Sequence, residues 1–363
     1  MIPKNWKAYL IWFGVTTLAG ILAALGFWPK DIPLPPIPEP IFEPGEMGWI
    51  PNPEAVDDVK RFLEFKVFSD TPAYKSQDPI PDKVYLWESY KKLFNANPPS
   101  KNQGQIGSCV SFGTNNAVAR TLATQIVLTN GGADEYKDIV EEVTYGGSRV
   151  QIGGGIRGDG SVGAWAAQFV QKWGVVARGK YDSYDLTVYS VATCRKFGDK
   201  PGPPEALLTI AKEHPVKDIT QVNTWAEAKK AIASGYAIAI CSNVGFEGNR
   251  DSNGVKPPRG SWAHCMCLDG YHIEGGKEYG HIENSWGPRP NEGPVGFGNP
   301  PDSGFWTDSG TIQRILGQKD SWAFSAVKGW PRRELDWFVN VPRQPNNFAR
   351  FALRKEVTYA MAP

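Results

Sequence analysis

Apolar residues recur at helical spacing in several stretches of the chain. In residues 108–128, apolar side chains return every three or four positions, which predicts a helix. Residues 162–174 predict a second helix that ends at Gly174. Residues 224–235 predict a third, with Thr224 as the residue that caps its start.

Three later stretches have the composition of β-strands. They read YAIAICSNV, HCMCLDGYHI and YGHIENSW, and they fall between residues 236 and 286. The helices come first along the chain and the strands follow. This order predicts an α+β fold in which two segregated layers meet at a cleft.

The N-terminus contains an apolar run without a charged residue, residues 8–28. As a helix, these 21 residues would span roughly 31 Å, the thickness of the hydrocarbon core of a bilayer. Lys4 and Lys7 precede the run and acidic residues follow it. We therefore expect a single-pass anchor with residues 1–7 in the cytoplasm and the rest outside. A cleaved signal peptide, which would release a secreted protein, is the alternative.

The remaining chain divides by composition. Residues 29–53 are rich in proline, which favours an extended and semi-rigid spacer. Residues 54–100 mix a short amphipathic run with loop signals, and we interpret them as a linker or a short pro-segment. A globular domain is predicted over residues 101–335, followed by a C-terminal tail, residues 336–363.

Charge and cysteine content narrow the function classes. The 39 basic and 38 acidic residues nearly cancel, so nothing indicates a nucleic-acid partner. The odd number of cysteines leaves at least one free thiol, and no disulfide framework is predicted. The cysteines are Cys109, Cys194, Cys241, Cys265 and Cys267.

Cys109 lies where the first predicted helix begins, within the sequence NQGQIGSCVSFG. A helix N-terminus and a neighbouring imidazolium both lower the pKa of a thiol and so favour the nucleophilic thiolate. Gly107, two residues earlier, would let the main chain of a substrate come close. Cys109 is therefore the candidate nucleophile.

A nucleophilic thiol also needs a histidine and a third group that orients the imidazole ring. Of the four histidines in the chain, His264 opens an apolar strand where its side chain could face a cleft. Twenty residues later, the sequence ENSWG contributes Asn284 and Trp286.

These segments resemble the papain-like cysteine peptidases. NQGQIGSCVSFG is similar to the active-site segment of that family, AHCMCLDGY to its histidine strand, and ENSWG to its asparagine segment, in the same order. His264 follows Cys109 by 155 residues, slightly more than the roughly 130–150 typical of the family. Residues 154–185 are similar to the family's glycine-rich wall, central helix and tyrosine-containing turn. The resemblance covers roughly residues 85–330.

The resemblance implies a papain-like two-subdomain fold, one part helical and one β-rich, with the active site in the cleft. It implies that Cys109 is the nucleophile and that His264 is its ion-pair partner and later the acid. Asn284 would hold the imidazole ring, and Trp286 would shield that hydrogen bond from water. The implied activity is hydrolysis of a polypeptide substrate through an acyl-enzyme, with no metal and no cofactor.

Further roles follow from the same resemblance. The side-chain amide of Gln103, with the backbone N–H of Cys109, would stabilise the oxyanion. Gly158 and Gly160 would line the substrate cleft. The sequence also departs from the family pattern, because Ile106 replaces a cysteine and the corresponding disulfide is missing.

Other interpretations stay open at this stage. The chain could be a catalytically silent papain-like module with a binding or structural role, for example in a virion or surface assembly, or a cell-wall lytic peptidase. A zinc site of Cys265, Cys267 and His272 lacks a second ligand pair, and a phosphate loop at GGGIRGDG lacks its Gly-Lys-Ser/Thr ending. The sequence does not predict an oligomeric state.

Overall fold

The structure, a computed structural model, describes residues 47–331 together with residues 336 and 337. The predicted anchor, residues 8–28, and the tail after residue 337 lie outside these residues. In the part of the chain that the structure describes, no helix is both long and apolar enough to cross a bilayer.

Helices dominate the first half of the described chain. The first, α1 (Pro53–Lys60), starts at Asn52, whose side chain accepts a hydrogen bond from the backbone N–H of Ala55. The helices that follow are α2 (Pro72–Lys75), α3 (Trp87–Phe94), α4 (Cys109–Leu128), α5 (Glu141–Gly146), α6 (Gly163–Lys172), α7 (Val191–Gly198), α8 (Glu205–Ala211), α9 (Trp225–Ala233) and α10 (Ser309–Leu316). A π-helical turn, Gly147–Ile152, continues α5.

The three helices predicted from periodicity are confirmed as α4, α6 and α9. Thr224 caps α9, since its side chain accepts a hydrogen bond from the backbone N–H of Glu227. The central helix α4 is buried on every side from Cys109 to Ile126, because the sheet covers one face and other helices cover the rest.

The second half of the described chain is rich in strands, and the three predicted strands are confirmed within it. The strands are β1 (Lys83–Tyr85), β2 (Lys180–Tyr181), β3 (Tyr184–Asp185), β4 (Ile219–Gln221), β5 (Ile238–Phe246), β6 (Pro258–Glu274), β7 (Lys277–Glu283), β8 (Gly304–Asp308) and β9 (Asp320–Phe324). Within the described residues, one antiparallel sheet has the order β4-β9-β5-β6-β7-β8, with β1 paired to β6, while β2 and β3 pair with each other.

Strand register brings three side chains into one row beneath α4. Cys241 of β5 lies opposite Cys265 of β6 on one side and Asp320 of β9 on the other. Helix α4 approaches this row closely, because a Cβ added at Gly113 would lie only 2.7 Å from the Cys265 sulfur. In the adjacent row, Ser242 lies opposite His264.

A buried ion-pair network joins α4 to the sheet. The Arg120 guanidinium donates to Asp269 at 3.2 Å and to Glu283 at 2.5 Å. His281 Nδ1 lies 2.6 Å from the other oxygen of Asp269. All four side chains are buried, so each charge depends on its partner for stabilisation. The network fixes the end of β7, where Glu283 directly precedes Asn284.

Candidate active site

Cys109 is the first residue of α4 and is fully buried. Burial, together with the neighbouring Cys265, raises the pKa of the Cys109 thiol to about 12, although hydrogen bonds from backbone N–H groups act in the opposite direction. These N–H groups belong to Gly48, Val110 and Cys265. In this arrangement the thiol is protonated at neutral pH, despite its place at the helix N-terminus.

His264 and Asn284 are hydrogen-bonded side chain to side chain. His264 Nε2 lies 2.8 Å from Asn284 Oδ1, and this oxygen also accepts the backbone N–H of Ser285 at 2.7 Å. An amide oxygen can only accept, so the bond assigns the ring proton to Nε2. The other nitrogen, Nδ1, is buried and has no hydrogen-bond partner. The ring is thus held with an unprotonated Nδ1 that can take up a proton.

The imidazole of His264 is neutral in this structure. Burial lowers its pKa to about 4, and the hydrogen bond to Asn284 only partly opposes this. The predicted ion pair between Cys109 and His264 is therefore not the charge state favoured here. Both groups are desolvated, and each holds its uncharged form.

Trp286 packs over the imidazole of His264. The two ring centroids lie 4.7 Å apart and the rings are inclined by 31°. Trp262 packs against Trp286 in turn, with centroids 4.8 Å apart. Trp286 is 5% exposed, which places it where it keeps water from the bond between His264 and Asn284.

Gln103 reaches the same site through a short antiparallel pairing. The backbone N–H of Gln103 donates to Ser285 O at 2.8 Å, and that of Gly287 donates to Lys101 O at 2.9 Å. The Gln103 side chain accepts from the Ser285 hydroxyl at 2.6 Å and donates to Ile106 O at 2.9 Å. These bonds fix the amide orientation beside the start of α4.

A buried arginine holds the glycine-rich segment, residues 154–160. The Arg149 guanidinium donates to the carbonyls of Ile156, Gly158 and Gly160, and its Nε donates to Gly198 O at 3.0 Å. All five cysteines of the chain are free thiols, which confirms the prediction of no disulfide framework. Non-covalent bonds from Arg149 therefore fix this segment, in the region where the family pattern has a disulfide.

Gly158 and Gly160 differ in their surroundings. Both have positive φ values, +73° and +102°, which glycine adopts without strain. A Cβ added at Gly160 would lie 2.7 Å from Gly48 O, whereas one at Gly158 would meet no atom within 4 Å. Of the two glycines predicted to line the cleft, only Gly160 thus lies close to the main chain of Gly48.

Residues 48–50, which we call the cleft segment, lie across the site. The backbone N–H of Ser161 donates to Gly48 O at 2.7 Å, and the Ser161 carbonyl accepts the backbone N–H of Ile50 at 2.9 Å. On the other side, Trp49 N donates to the carbonyl of Ala263 at 2.9 Å. Since Ala263 directly precedes His264, the cleft segment bridges the glycine-rich side and the histidine strand.

The cleft segment also covers Cys109. Its Gly48 packs directly on Gly107, so that a Cβ at Gly48 would lie 2.1 Å from the Gly107 carbonyl oxygen. The predicted spacer, residues 29–53, thus includes a stretch that packs against the domain. The thiol lies buried beneath this main chain, and burial is the largest cause of its raised pKa.

Four residues of the site are not among the candidates predicted from the sequence: Ser161, Arg149, Asp320 and Ser285. Ser161 follows the glycine-rich segment and pairs with the cleft segment through its backbone, so its side-chain type carries no signal. Arg149 and Asp320 act through contacts that depend on tertiary structure. Only Ser285 could have been found, because it lies inside the motif ENSWG.

The zinc alternative finds no support in the described residues, where no three His, Cys, Asp or Glu side chains are grouped to hold a metal ion. His272 instead lies 2.6 Å from the Tyr85 hydroxyl and stacks on Phe297, with ring centroids 4.1 Å apart.

Acidification is expected to destabilise the fold through His264. Its pKa is about 4 in the folded chain and 6.5 as the reference value, so between these values only the unfolded chain binds the proton. The stabilising contribution is present above pH 6.5 and disappears as the pH falls towards 4, a loss of about 3 kcal/mol. Urea unfolding at pH 7 and pH 4 measures it.

The variant His264→Gln isolates this contribution, because it should lose about 3 kcal/mol less than the wild type over the same pH interval. His214→Gln, at a partly exposed histidine, is the matched control and should follow the wild type. Equal losses in all three proteins would contradict the assignment.

A sequence profile described as "Papain family cysteine protease" matches residues 88–297, more than half of the chain. Cysteine proteinase 1 of Entamoeba histolytica is 28% identical over 197 residues, which cover 52% of this chain and 56% of that protein. The chain thus spans about half the length of this curated relative.

Two solved structures are similar at lower identity. Xylellain, a cysteine protease from Xylella fastidiosa, has 16% identity and a TM-score of 0.47, covering 78% of this chain and 92% of that one. Digestive procathepsin L 3 from the larval midgut of Tenebrio molitor has 16% identity and a TM-score of 0.44, covering 75% and 79%.

Proposed function

This chain belongs to the papain family of cysteine proteases, and we propose that it hydrolyses peptide bonds with Cys109 as nucleophile. One observation carries the proposal. The Asn284 side chain holds the imidazole of His264 by Nε2 and leaves Nδ1 without a hydrogen-bond partner. The residue that follows His264 is Cys265, and its backbone N–H contacts the Cys109 sulfur.

In the proposed reaction, His264 Nδ1 removes the proton of the Cys109 thiol as the sulfur attacks the carbonyl carbon. A C–S bond forms, and the carbonyl electrons move to the oxygen. The proton on Nδ1 then passes to the amide nitrogen, the C–N bond breaks, and the amine leaves. Water attacks the thioester with His264 as base, which releases the carboxylic acid and restores the thiol.

The developing oxyanion would meet two donors. One is the backbone N–H of Cys109 at the start of α4, where the helix dipole also favours negative charge. The other is the side-chain amide of Gln103, whose orientation is fixed by Ser285 and Ile106. Donors that are held in place beforehand stabilise the developing charge most effectively, because they need not reorganise during the reaction.

The cleft segment keeps the proposed enzyme latent. It takes up hydrogen-bonding groups of Ser161 and Ala263 that a substrate main chain would otherwise use, and it covers Cys109. A peptide can bind only after residues 48–50 have left. Once water returns to the cleft, desolvation no longer opposes the thiolate–imidazolium pair. The pKa of Cys109 then falls and the pKa of His264 rises.

The test is peptide hydrolysis by the purified full chain, with the new termini identified by mass spectrometry. We expect cleavage that stops in proportion to alkylation of Cys109. A folded protein that leaves every peptide intact, even when the cleft segment has been displaced, would overturn the proposal and favour a silent binding module.

The proposal includes a membrane anchor over residues 8–28, with residues 1–7 in the cytoplasm and the peptidase domain on the other side. Its support is the run of 21 residues without a charge, preceded by Lys4 and Lys7. N-terminal sequencing of the mature protein tests it. A terminus near Met1 agrees with the anchor, whereas a terminus after residue 28 would replace it with a cleaved signal peptide.

A further inference from the structure

The side chain of Trp49 occupies a defined pocket rather than an open groove. Its indole N–H donates to Asp320 Oδ2 at 2.8 Å in a buried hydrogen bond. The backbone on both sides of Trp49 is bonded to Ser161, and its own N–H is bonded to Ala263. The main chain of the cleft segment is thus fixed in the way a bound peptide would be, and the Trp49 side chain points to the carboxylate of Asp320.

Asp320 is arranged to accept hydrogen bonds from N–H groups. Its Oδ2 also accepts the backbone N–H of Gly163 at 2.9 Å, and its Oδ1 accepts the indole N–H of Trp322 at 2.8 Å. Among the described residues no cationic side chain forms an ion pair with it, although Lys60 and Lys319 line the adjacent cavity. The buried carboxylate is therefore surrounded by dipoles but lacks a counter-ion.

Departure of Trp49 leaves one acceptor position of Oδ2 without a partner. An aliphatic side chain in its place would leave that acceptor position buried and empty, with only the Gly163 N–H still bonded to Oδ2, which is costly. An indole would restore the bond, and a guanidinium would add opposite charge to a site that has none. A cavity of 310 Å³ adjoins Trp49 and Asp320, so there is open space beside the indole in this structure.

We propose that Asp320 forms the floor of a substrate pocket that selects a side chain ending in an N–H donor, indole or guanidinium, and that Trp49 fills that pocket in this structure. The proposal rests on the proposed peptidase function. It makes Asp320 a specificity-determining residue and leaves the chemistry to Cys109 and His264.

Internally quenched peptides test the proposal, with each position around the cleaved bond varied in turn among Arg, Trp and Leu. At one position, the wild-type full chain should prefer Arg and Trp over Leu by at least about tenfold in kcat/KM. Asp320→Asn, which keeps the shape and one acceptor oxygen, should lower the Arg-to-Leu ratio at least about tenfold and largely keep Trp. Asp320→Leu should favour Leu.

Ratios between peptides are independent of how much enzyme has an open cleft, because the same preparation cleaves all of them. Asp308→Asn is the matched control. It changes the net charge equally, and asparagine still caps α10, so its ratios should equal those of the wild type. Cleavage with ratios that Asp320→Asn leaves unchanged overturns the pocket and leaves the peptidase function standing. No cleavage of any peptide, even when the cleft segment has been displaced, overturns the peptidase function itself.

Discussion

Replacing Cys109 with alanine is expected to abolish peptide hydrolysis, with a fall in kcat/KM of at least about 10⁴-fold. No other thiol can take over, because the reacting sulfur must lie at the N-terminus of α4 and beside the strand that carries His264. The variant should fold, since it removes one buried sulfur and leaves the surrounding main chain intact. Hydrolysis rates at pH 7 and the melting temperature measure the two effects.

The matched control is Cys267→Ala, which also deletes a buried thiol of the domain core. Cys267 lies on β6 opposite Ala239 and Glu283, away from the cleft segment. The hydrolysis rate of the Cys267→Ala variant should stay within several-fold of the wild-type rate. If both variants retained similar hydrolysis, Cys109 would not be the nucleophile.

Replacing Gly48 with valine is expected to expel the cleft segment and activate the enzyme. A Cβ at this position would lie 2.1 Å from the Gly107 carbonyl oxygen and 2.7 Å from the Gly107 Cα, and both atoms belong to the main chain and cannot rotate away. Overpacking of this kind costs about 1–3 kcal/mol, which raises the open population about 5–150-fold. Alkylation of Cys109 and peptide hydrolysis at pH 7 should both accelerate by that factor.

Gly248→Val is the control for this change, because a Cβ at Gly248 would meet no atom within 4 Å. It introduces the same side chain into open space and should leave the alkylation rate unchanged. Equal alkylation rates for the two valine variants would show that residues 48–50 do not restrict access to Cys109.

Features encoded locally could be predicted from the sequence. The helices α4, α6 and α9 follow from apolar spacing and capping residues within one segment. Cys109, His264 and Asn284 can be identified as candidate residues because each lies in a short motif, and the order of the motifs links them. The hydrogen bond between His264 and Asn284 was expected from the same resemblance.

Contacts between distant parts of the chain could not be predicted in this way. Asp320 meets Trp49 across 271 positions, and neither residue lies in a motif. Arg149 reads as an ordinary surface charge in sequence, yet it is buried and bonded to main-chain carbonyls. The expected ion pair assumes an open cleft, whereas burial of both groups in this structure keeps Cys109 and His264 uncharged.

The use of Arg149 in place of a disulfide has a consequence for redox chemistry. A catalytic thiol must be kept reduced, and a cleft wall tied by a disulfide would be exposed to the same reductant. Here the wall is held by guanidinium–carbonyl bonds, which thiols do not break. We therefore expect a thiol reductant to keep the sulfur of Cys109 reduced while leaving the hydrogen bonds from Arg149 to this wall intact.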